Sequence, residues 1–394
     1  MKILQPDNMK RINSIDIVRG IVMMIMALDH VRDLMHVNPL TVSPTDMNTT
    51  TPALFMTRWI THLCAPTFVF LSGTSAFLSM QNQTSLKESR NFLLKRGLWL
   101  VILNFTINNF AIHFDIHFGV LFSQVIAAIG FGFIGLALLM RLSVRTIGII
   151  GLIIIFTHDL LGGISFSNGP LNMIWQLFMG VGLFPIAPNT NFLVSYPIIP
   201  WLGIMLAGYS FGSLFNLEFE KRKKLFLKIG LGSIALFVLL RAVNIYGDAF
   251  HWSVQKNRIY TLLSFINTTK YPPSLLFTLM TLGISITLLS LFNNIQNRTT
   301  DVISVYGKVP LFYWLFHWFI VHFVAMGVFL SQGYHWSDMQ FAGFGFGRPQ
   351  NGGGLNLLGV YIVWAAIVAF FYPLCKWYWN YKRQHKEKKW LRYL

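Results

Sequence analysis

One apolar segment near the start of the chain carries an unusual number of ionisable side chains. The segment SIDIVRGIVMMIMALDHVRDLMH contains Asp16, Arg19, Asp29, His30, Arg32 and Asp33. Histidine is suited to proton transfer near neutral pH, and a neighbouring carboxylate can fix its tautomer. Arginine is suited to phosphate and carboxylate groups. The pattern therefore indicates a site where an arginine binds an anion and a histidine moves a proton.

Helical periodicity places these groups on one stripe. At about 100° per residue, Arg19 and His30 point within about 20° of each other, while Asp16 lies about 60° from Arg19. The rise between Arg19 and His30 is about 16 Å. Either Asp29 or Asp33 is a candidate to orient the His30 ring. The structural alternative is a self-neutralising Asp16–Arg19 pair and a packed histidine.

A second apolar segment adds further candidates. TRWITHLCAPTFVFLSGTSAF places Arg58 and His62 at i,i+4, level with His30 if the first two spans are antiparallel. Pro66 predicts a kink, and the small residues of the SGTS cluster predict close helix approach. Cys64 is a candidate acyl-accepting thiol, although a buried apolar cysteine is usually inert.

Other polar residues occur in later apolar segments. Asn104 and Asn108 form an i,i+4 amide pair, and His317 lies in the aromatic run FYWLFHWFIVHF. Amides in membrane helices mostly tie helices together, and the aromatic run favours packing. We retain Asn104, Asn108 and His317 as candidate binding residues.

The composition identifies the class of protein that must position these groups. Of the 394 residues, 54% are hydrophobic and 11% charged, and the mean hydropathy is +0.54. These values exclude a soluble globular domain and a disordered chain. The two cysteines, Cys64 and Cys375, lie in apolar stretches without paired Cys/His spacing, so neither a disulfide framework nor a metal site is predicted.

The apolar stretches predict an all-α integral membrane protein, because a helix needs about 20 residues to cross the hydrocarbon core. We predict ten spans, at 15 to 36, 53 to 80, 90 to 111, 118 to 140, 144 to 161, 197 to 215, 224 to 243, 271 to 292, 302 to 330 and 355 to 380. The segment 170 to 186 is bracketed by prolines and is predicted to be re-entrant or interfacial on the outer side. If it crossed the membrane, the spans would number eleven.

The distribution of Lys and Arg predicts the orientation. With a cytoplasmic N-terminus, only four loop cations, Lys256, Arg258, Lys270 and Arg348, face outward. The inner side receives the basic N-terminus, the loops near 90, 143 and 224, and a basic C-terminal tail at 381 to 394. Both termini are thus expected in the cytoplasm. The +17 net charge then reflects topology and anionic lipid, and nucleic acid is not expected as a partner.

Several segments together resemble a known family. The pattern Asp16-x-x-Arg19-Gly20 with His30 eleven residues after the arginine is similar to the first helix of acyltransferase-3 enzymes. With APTFVFLSGTSAF, YPIIPWLGIMLAGYSFG and YGKVPLFYWLFHWFIVH, the chain more closely resembles bacterial relatives of heparan-alpha-glucosaminide N-acetyltransferase. This resemblance extends over essentially the whole chain.

The resemblance implies one polytopic acyltransferase domain, residues 1–394, that moves an acetyl group from cytosolic acetyl-CoA to a sugar on the other side. The family's active-site histidine precedes its second catalytic-domain helix, but the stretch TDMNTTTPALF contains none. The role therefore transfers to His30 by the acyltransferase-3 pattern, with His62 as substitute. Transfer to nitrogen and transfer to oxygen both stay open.

These observations lead to one mechanistic hypothesis. Arg19, Lys95 and Arg96 would hold the coenzyme A phosphates, and His30 would act as general base on the acceptor. Asp29 or Asp33 would fix the His30 tautomer, and Arg58 would polarise the thioester or bind substrate. Direct transfer and a covalent route through a histidine or Cys64 are both left open.

The expected partners are acetyl-CoA, a sugar or glycan acceptor and the bilayer, and a homodimer is left open. No metal is expected. We expect a bacterial plasma membrane protein. The competing interpretation is a secondary transporter of a small polar or sugar-like solute, because ionisable residues within the membrane suit it equally. A structural scaffold would leave Asp16, Arg19 and His30 without a role.

Overall fold

The computed structural model describes residues 12–37, 42–81, 85–164, 166–167, 169–350 and 352–392. Lys2, Lys10 and Arg11 of the predicted basic N-terminus lie outside these residues. The described chain is mostly helical. Its helices are α1 Asn13–Met35, α2 Pro52–Thr61, α3 Cys64–Met80, α4 Leu86–Leu103, α5 Asn109–His113, α6 Val125–Leu139, α7 Val144–Thr157, α8 Pro170–Met179, α9 Ile198–Gly212, α10 Phe219–Val243, α11 Arg258–Ile266, α12 Leu275–Leu291, α13 Arg298–Lys308, α14 Pro310–Ser331 and α15 Leu357–Gln384.

Six helices in the described part of the chain are long and apolar enough to cross a membrane. They are Pro52–Met80, Val144–Leu161, Ile198–Asn216, Phe219–Val243, Pro310–Ser331 and Leu357–Gln384. Two further apolar helices, α6 and α12, are shorter. A multi-pass helical membrane protein is therefore confirmed, and the count of ten spans stays a prediction.

Three predicted spans are interrupted. The break in the second span lies at His62 and Leu63, so the predicted kink at Pro66 is wrong; Pro66 lies in the first turn of α3, where its missing N–H costs no helical hydrogen bond. The span predicted at 302 to 330 is divided into α13 and α14 at Pro310, the first residue of α14. The third span changes from α4 to α5 through a π-helical turn, Asn104–Asn108.

The described chain also contains a small three-stranded sheet and a separate two-stranded ladder. The span predicted at 118 to 140 begins as a strand, β1 Val120–Ser123, before α6. β1 pairs in parallel with β3 Thr190–Val194, and β3 pairs antiparallel with β2 Gly182–Ala187. A two-residue ladder joins β4 Met339–Gln340 to β5 Arg348–Pro349.

The segment 170 to 186 consists of α8 followed by most of β2. α8 has 10 residues, about half of what a membrane-spanning helix needs, and the strand that follows pairs with β3. Neither part has the length of a helical span. A re-entrant path for this segment stays a prediction.

Glycines bring the four family-like segments together in two pairs. A Cβ on Gly20 of α1 would lie 2.1 Å from the Ile303 carbonyl oxygen of α13, and one on Gly307 would lie 1.9 Å from the Asp16 carbonyl oxygen. A Cβ on Gly73 of α3 would likewise lie 2.1 Å from a carbonyl oxygen of α9, and one on Gly208 of α9 would lie 2.1 Å from a carbonyl oxygen of α3. The close helix approach predicted for the SGTS cluster is confirmed, because only a missing side chain permits these distances.

Helix α1 lies at the centre of one half of the bundle. It packs against α2, α3, α13, α14 and α15. Its C-terminal end is joined to the chain before α15 by a bridge between His36 and Leu355. Because α1 is continuous from Asn13 to Met35, Arg19 and His30 lie on one rigid element, about three turns apart.

Candidate active site

A pair of buried histidines occupies the C-terminal half of α1. Nδ1 of His30 lies 2.6 Å from Nε2 of His317 on α14. The ring of His317 is fully buried, and His30 is 9% exposed. The structure therefore brings together two candidate residues that are 287 positions apart in sequence.

The partners of His317 determine which nitrogen of each ring carries the proton. Nδ1 of His317 lies 2.6 Å from the carbonyl oxygen of Trp314 and 3.1 Å from that of Tyr313. Carbonyl oxygens only accept, so a neutral His317 is protonated at Nδ1 and accepts at Nε2. His30 then donates from Nδ1, which leaves a lone pair on its Nε2. This Nε2 has no hydrogen-bond partner among the described residues.

The prediction that Asp29 or Asp33 orients the His30 ring is wrong. Asp29 accepts from Arg58 and from Thr61, 2.9 Å away, and forms an ion pair with Arg32 at 2.8 Å. Asp33 pairs with Arg32. A carboxylate in apolar surroundings is stabilised more by guanidinium groups than by a neutral imidazole. This explains why the two aspartates pair with arginines and not with His30.

Aromatic rings enclose the histidine pair. Trp318 stacks on His30 with 3.9 Å between ring centroids, and the edge of Trp314 meets His30 at 5.7 Å. The ring of Tyr313 stacks on His317 at 5.4 Å. The aromatic run around His317 is therefore packing, as predicted, and it also fixes the His30 ring. The sequence offered one sign of this enclosure: Trp314 precedes His317 by three residues and Trp318 by four, so all three lie on one side of the helix.

His62 and Cys64 lie apart from the histidine pair. His62 is 4% exposed, meets Phe277 edge-on at 5.5 Å, and its buried Nδ1 has no hydrogen-bond partner in the described part of the chain. The Cys64 thiol donates to the carbonyl oxygen of Val22 at 3.3 Å. Arg58, Lys270 and Asp29 act electrostatically on both His62 and Cys64.

Arg19 lies at the opposite end of the stripe. Its guanidinium donates to Ser75 Oγ at 2.7 Å and to the Gly307 carbonyl oxygen at 3.4 Å, and it lies 3.9 Å from the Asp16 carboxylate. Asp16 is 2% exposed. The predicted i,i+3 pair is present, and the further contacts with α3 and α13 hold the guanidinium in place.

A cavity of about 500 Å³ extends from Arg19 to Trp314. It lies between α1, α3, α4, α6 and α14, with Arg19 and Arg96 among its lining residues and Trp314 also contributing to its wall. The rest of the wall is mostly apolar, including Phe68, Leu100 and Phe133. Trp314 thus contacts both the cavity and His30.

The two asparagines tie the third span to its neighbours. Asn104 Nδ2 donates to the Phe122 carbonyl oxygen of β1 at 2.8 Å. Asn108 Oδ1 accepts from the Trp314 indole N–H at 2.8 Å. Asn108 therefore fixes the side chain that separates the cavity from His30, whereas Asn104 anchors a strand.

Sequence reasoning missed the role of Lys270, which it treats only as a loop cation. The ammonium group lies over the rings of Tyr271, at 4.9 Å, and Tyr196, at 5.9 Å. Lys270 is 8% exposed and acts electrostatically on Asp29, His30 and His62. The adjacent Tyr271-Pro272-Pro273, which shapes the turn before α12, was the only local signal.

The fold and the site define a multi-pass helical membrane protein in which Trp314 contacts both a buried histidine pair and an internal cavity. Residues 11–245, more than half of the chain, match the family model described as heparan-alpha-glucosaminide N-acetyltransferase, catalytic. The chain belongs to this family, which confirms the resemblance. The match includes Arg19, His30 and Arg58, and His317 lies beyond it. No curated protein matches the chain.

Proposed function

We propose that the protein transfers an acetyl group from acetyl-CoA, bound at the Arg19 end of the cavity, to a sugar hydroxyl or amine at the His30 end. The observation that carries this proposal is the cavity itself, which joins two arginines to the aromatic wall of the histidine pair. Membership of an acetyltransferase family supports the choice of reaction and donor.

The donor site follows from the cavity's chemistry. Arg19 and Arg96 both line the cavity, and the exposed Lys95 lies beside Arg96 in sequence. Guanidinium and ammonium groups bind the coenzyme A phosphates, while the apolar wall accommodates the pantetheine arm. The acetyl thioester would then reach Trp314, next to His30. Asp16 positions the Arg19 guanidinium.

His30 acts as general base through its unpartnered Nε2. It takes the proton of the acceptor O–H or N–H as that atom forms a bond to the thioester carbonyl carbon. The carbon–sulfur bond then breaks, and the coenzyme A thiolate leaves with the proton returned by His30. The products are an acetylated acceptor and free coenzyme A. His317 is a positioning residue, since it acts only through His30.

The groups around Asp29 serve the acceptor end. Arg58 is held by Asp29 and stabilises negative charge on the carbonyl oxygen as the acceptor adds. Asp33 holds Arg32, and His62 presents a buried ring nitrogen to the same region. Direct transfer needs no covalent intermediate, and the Cys64 thiol is directed at a backbone carbonyl.

The charge distribution supports a topology in which the Arg19 end faces the cytoplasm. Exposed basic residues near that end, such as Arg145 and Lys221, fit the inner face. Both termini would then be cytoplasmic, with residues 1–394 forming one domain and 381–394 a basic tail whose first residues extend α15. We place the protein in a bacterial plasma membrane.

The test uses purified protein in liposomes, with acetyl-labelled acetyl-CoA on the cytoplasmic side and amino sugars on the other. Wild type should transfer label and release coenzyme A. His30→Ala should reduce transfer by about 10²- to 10⁴-fold, the usual contribution of a general base, and should retain acetyl-CoA binding. His117→Ala, which removes an exposed histidine, is the matched control.

Two results would refute the proposal. One is a wild type that neither transfers label nor releases coenzyme A with any acceptor. The other is His30→Ala protein that is folded and as active as His117→Ala. Uptake of the labelled sugar into the liposomes without acetylation would instead support a transporter.

A further inference from the structure

A second cavity lies apart from the one that contains Arg19. Its volume is about 660 Å³, within the usual range for a small-molecule site. It is enclosed by the C-terminal end of α7, by α8, by the chain that follows α10 and by the turn before α12. The two cavities share no lining residue. The proposed acetyl transfer therefore leaves the second cavity without a role.

Two of the candidate membrane spans end at this cavity. They are Val144–Leu161 and Phe219–Val243. His158 and Leu161, from the last turn of the first span, and Ile245, just beyond the end of the second, line the cavity. A membrane-spanning helix ends where the hydrocarbon core gives way to the headgroups. The space, which we call the interfacial cavity, therefore lies at the level of the lipid headgroups.

The mouth of the interfacial cavity is apolar. Four side chains line the cavity and are also 37–76% exposed, namely Leu161, Ile164, Val181 and Ile245. Exposed apolar side chains at the end of a membrane span contact lipid chains. A molecule that enters through this mouth therefore passes between apolar side chains before it reaches the interior.

Helix α8 forms one wall of the interfacial cavity. One side of the helix contributes Trp175, Gln176 and Met179 to the lining. An adjoining side presents three exposed side chains, Leu171, Ile174 and Phe178, which point within about 60° of one another at about 100° per residue. None of the residues of α8 is buried. An amphipathic helix of this kind is typical of a segment that lies in the membrane interface.

The floor of the interfacial cavity is acidic. Asp159 and Asp248 both line it, and none of its described lining residues is Lys or Arg. Asp248 accepts from Phe250 N, from Thr269 N and Oγ1, and from Ser274 Oγ, so it contributes charge without a free lone pair. A protonated His158 would offset one of the two carboxylates and leave the floor negative.

Asp159 has an oxygen that is available to a ligand. Its Oδ2 accepts from the Leu275 N–H at 2.9 Å. Its Oδ1 receives no hydrogen bond within the described part of the chain. His158 Nε2 lies 3.3 Å from this oxygen but only 2.9 Å from the Pro273 carbonyl oxygen. The Asp159 side chain is 17% exposed, so Oδ1 can accept from a donor in the cavity.

We infer that the interfacial cavity binds the ammonium headgroup of a membrane lipid, with Asp159 as its acceptor. A negative floor without Lys or Arg favours a cation over a phosphate, and a primary ammonium supplies the N–H donors that a carboxylate needs. The apolar mouth accommodates the acyl chains along Leu161 and Ile245. The lipid phosphate then lies outside the floor, near the exposed His251.

The test measures the Kd of three lipids for the full-length protein purified in detergent. Phosphatidylethanolamine has a primary ammonium, phosphatidylcholine has the same charge without N–H donors, and phosphatidylglycerol has no ammonium. Wild type should bind phosphatidylethanolamine about tenfold or more tightly than either of the others, the usual effect of a charge-assisted hydrogen bond. Equal Kd values for the three lipids would overturn the inference.

Asp159→Asn tests the acceptor without removing the oxygen that Leu275 N–H needs. It should raise the Kd for phosphatidylethanolamine about tenfold or more and leave the Kd values for the other two lipids unchanged. Glu387→Gln removes an exposed carboxylate far along the chain and should change none of them. A folded Asp159→Asn protein that still prefers phosphatidylethanolamine to the same extent as wild type would reject Asp159 as the headgroup acceptor.

A headgroup without acyl chains distinguishes a lipid from a soluble amine. Glycerophosphoethanolamine should bind much more weakly than phosphatidylethanolamine. Ile245→Ser should weaken binding of the lipid alone, whereas Leu239→Ser, which removes an exposed apolar side chain of α10 outside the cavity, should not. If glycerophosphoethanolamine binds as tightly as the lipid, the cavity is a site for a soluble amine and the lipid is rejected.

Discussion

His30 and His317 share one short hydrogen bond, 2.6 Å between Nδ1 and Nε2, and the backbone of α14 decides its direction. The carbonyl oxygens of Tyr313 and Trp314 require the His317 proton on Nδ1. The ring nitrogen of this histidine pair that keeps a free lone pair is therefore Nε2 of His30. The proposed base thus consists of two neutral rings oriented by a helix backbone, without a hydrogen-bonded carboxylate.

This arrangement predicts that His317→Ala lowers kcat by about 10- to 100-fold, in the range found when a partner that orients a histidine is removed. KM for acetyl-CoA should not change. His317→Gln should recover much of the loss, because its side-chain oxygen can accept from His30 Nδ1. Steady-state kinetics of acetyl transfer over a range of pH provide the measurement.

His322→Gln is the control for a buried histidine on the same helix, whose Nε2 is 2.7 Å from the Ile112 carbonyl oxygen. It should affect stability and leave the pH dependence of kcat unchanged. If His317→Gln and His317→Ala lose the same activity, His317 serves only packing.

The contrast between His30 and Asp29 shows how far sequence reasoning extends. The stripe from Arg19 to His30 could be predicted, because it depends only on the period of one continuous helix. The partner of His30 could not, because it comes from α14 and depends on how distant helices pack. Nor could the sequence show that Arg58 forms an ion pair with Asp29, since that contact depends on how α2 packs against α1.

The same limit applies to breaks in helices. Proline at 66 suggested a kink, but proline in a first turn is compatible with a helix, and the break precedes it. The strand at 120 to 123 was assigned to a span, because a buried apolar strand and a helix segment look alike in sequence. The small-residue contacts were predictable, since glycine has few other uses inside membrane helices.

Arg19→Gln should weaken acetyl-CoA binding by about tenfold or more, because a charge-assisted hydrogen bond to phosphate is lost. The discriminating substrate is acetyl-pantetheine, which has the thioester but no phosphate. KM for acetyl-pantetheine should be the same for wild type and Arg19→Gln. Arg145→Gln removes an exposed arginine and should leave KM for both donors unchanged.

An equal increase in KM for both donors would contradict this prediction. Arg19 would then support the cavity wall through Ser75 and Gly307 and would not contact phosphate. Unchanged KM for acetyl-CoA would remove Arg19 from the donor site altogether.

Asn108→Ala should reduce acetyl transfer through Trp314. The substitution leaves the buried indole N–H without an acceptor, at a cost of about 1–3 kcal/mol, and releases the ring that lies between the cavity and His30. In a Trp314→Phe background, where that N–H is absent, Asn108→Ala should have little further effect. Additive losses in kcat would show that Asn108 acts independently of Trp314.

Gly307→Ala tests whether the close contact of α1 with α13 positions Arg19. The new Cβ would lie 1.9 Å from the Asp16 carbonyl oxygen, so the helices must separate, with an expected loss of about 1–3 kcal/mol. Because Arg19 donates to the Gly307 carbonyl, acetyl-CoA affinity should fall together with the thermal unfolding temperature in detergent.

Gly232→Ala is the matched control, since a Cβ on Gly232 in α10 meets no atom within 4 Å. It should keep acetyl-CoA affinity and raise stability slightly, because alanine favours the helix over glycine. If the Gly307→Ala and Gly232→Ala proteins have the same thermal unfolding temperature, α1 and α13 do not touch at this point. If Gly307→Ala protein were destabilised yet bound acetyl-CoA normally, the glycine contact would support the fold without setting the position of Arg19.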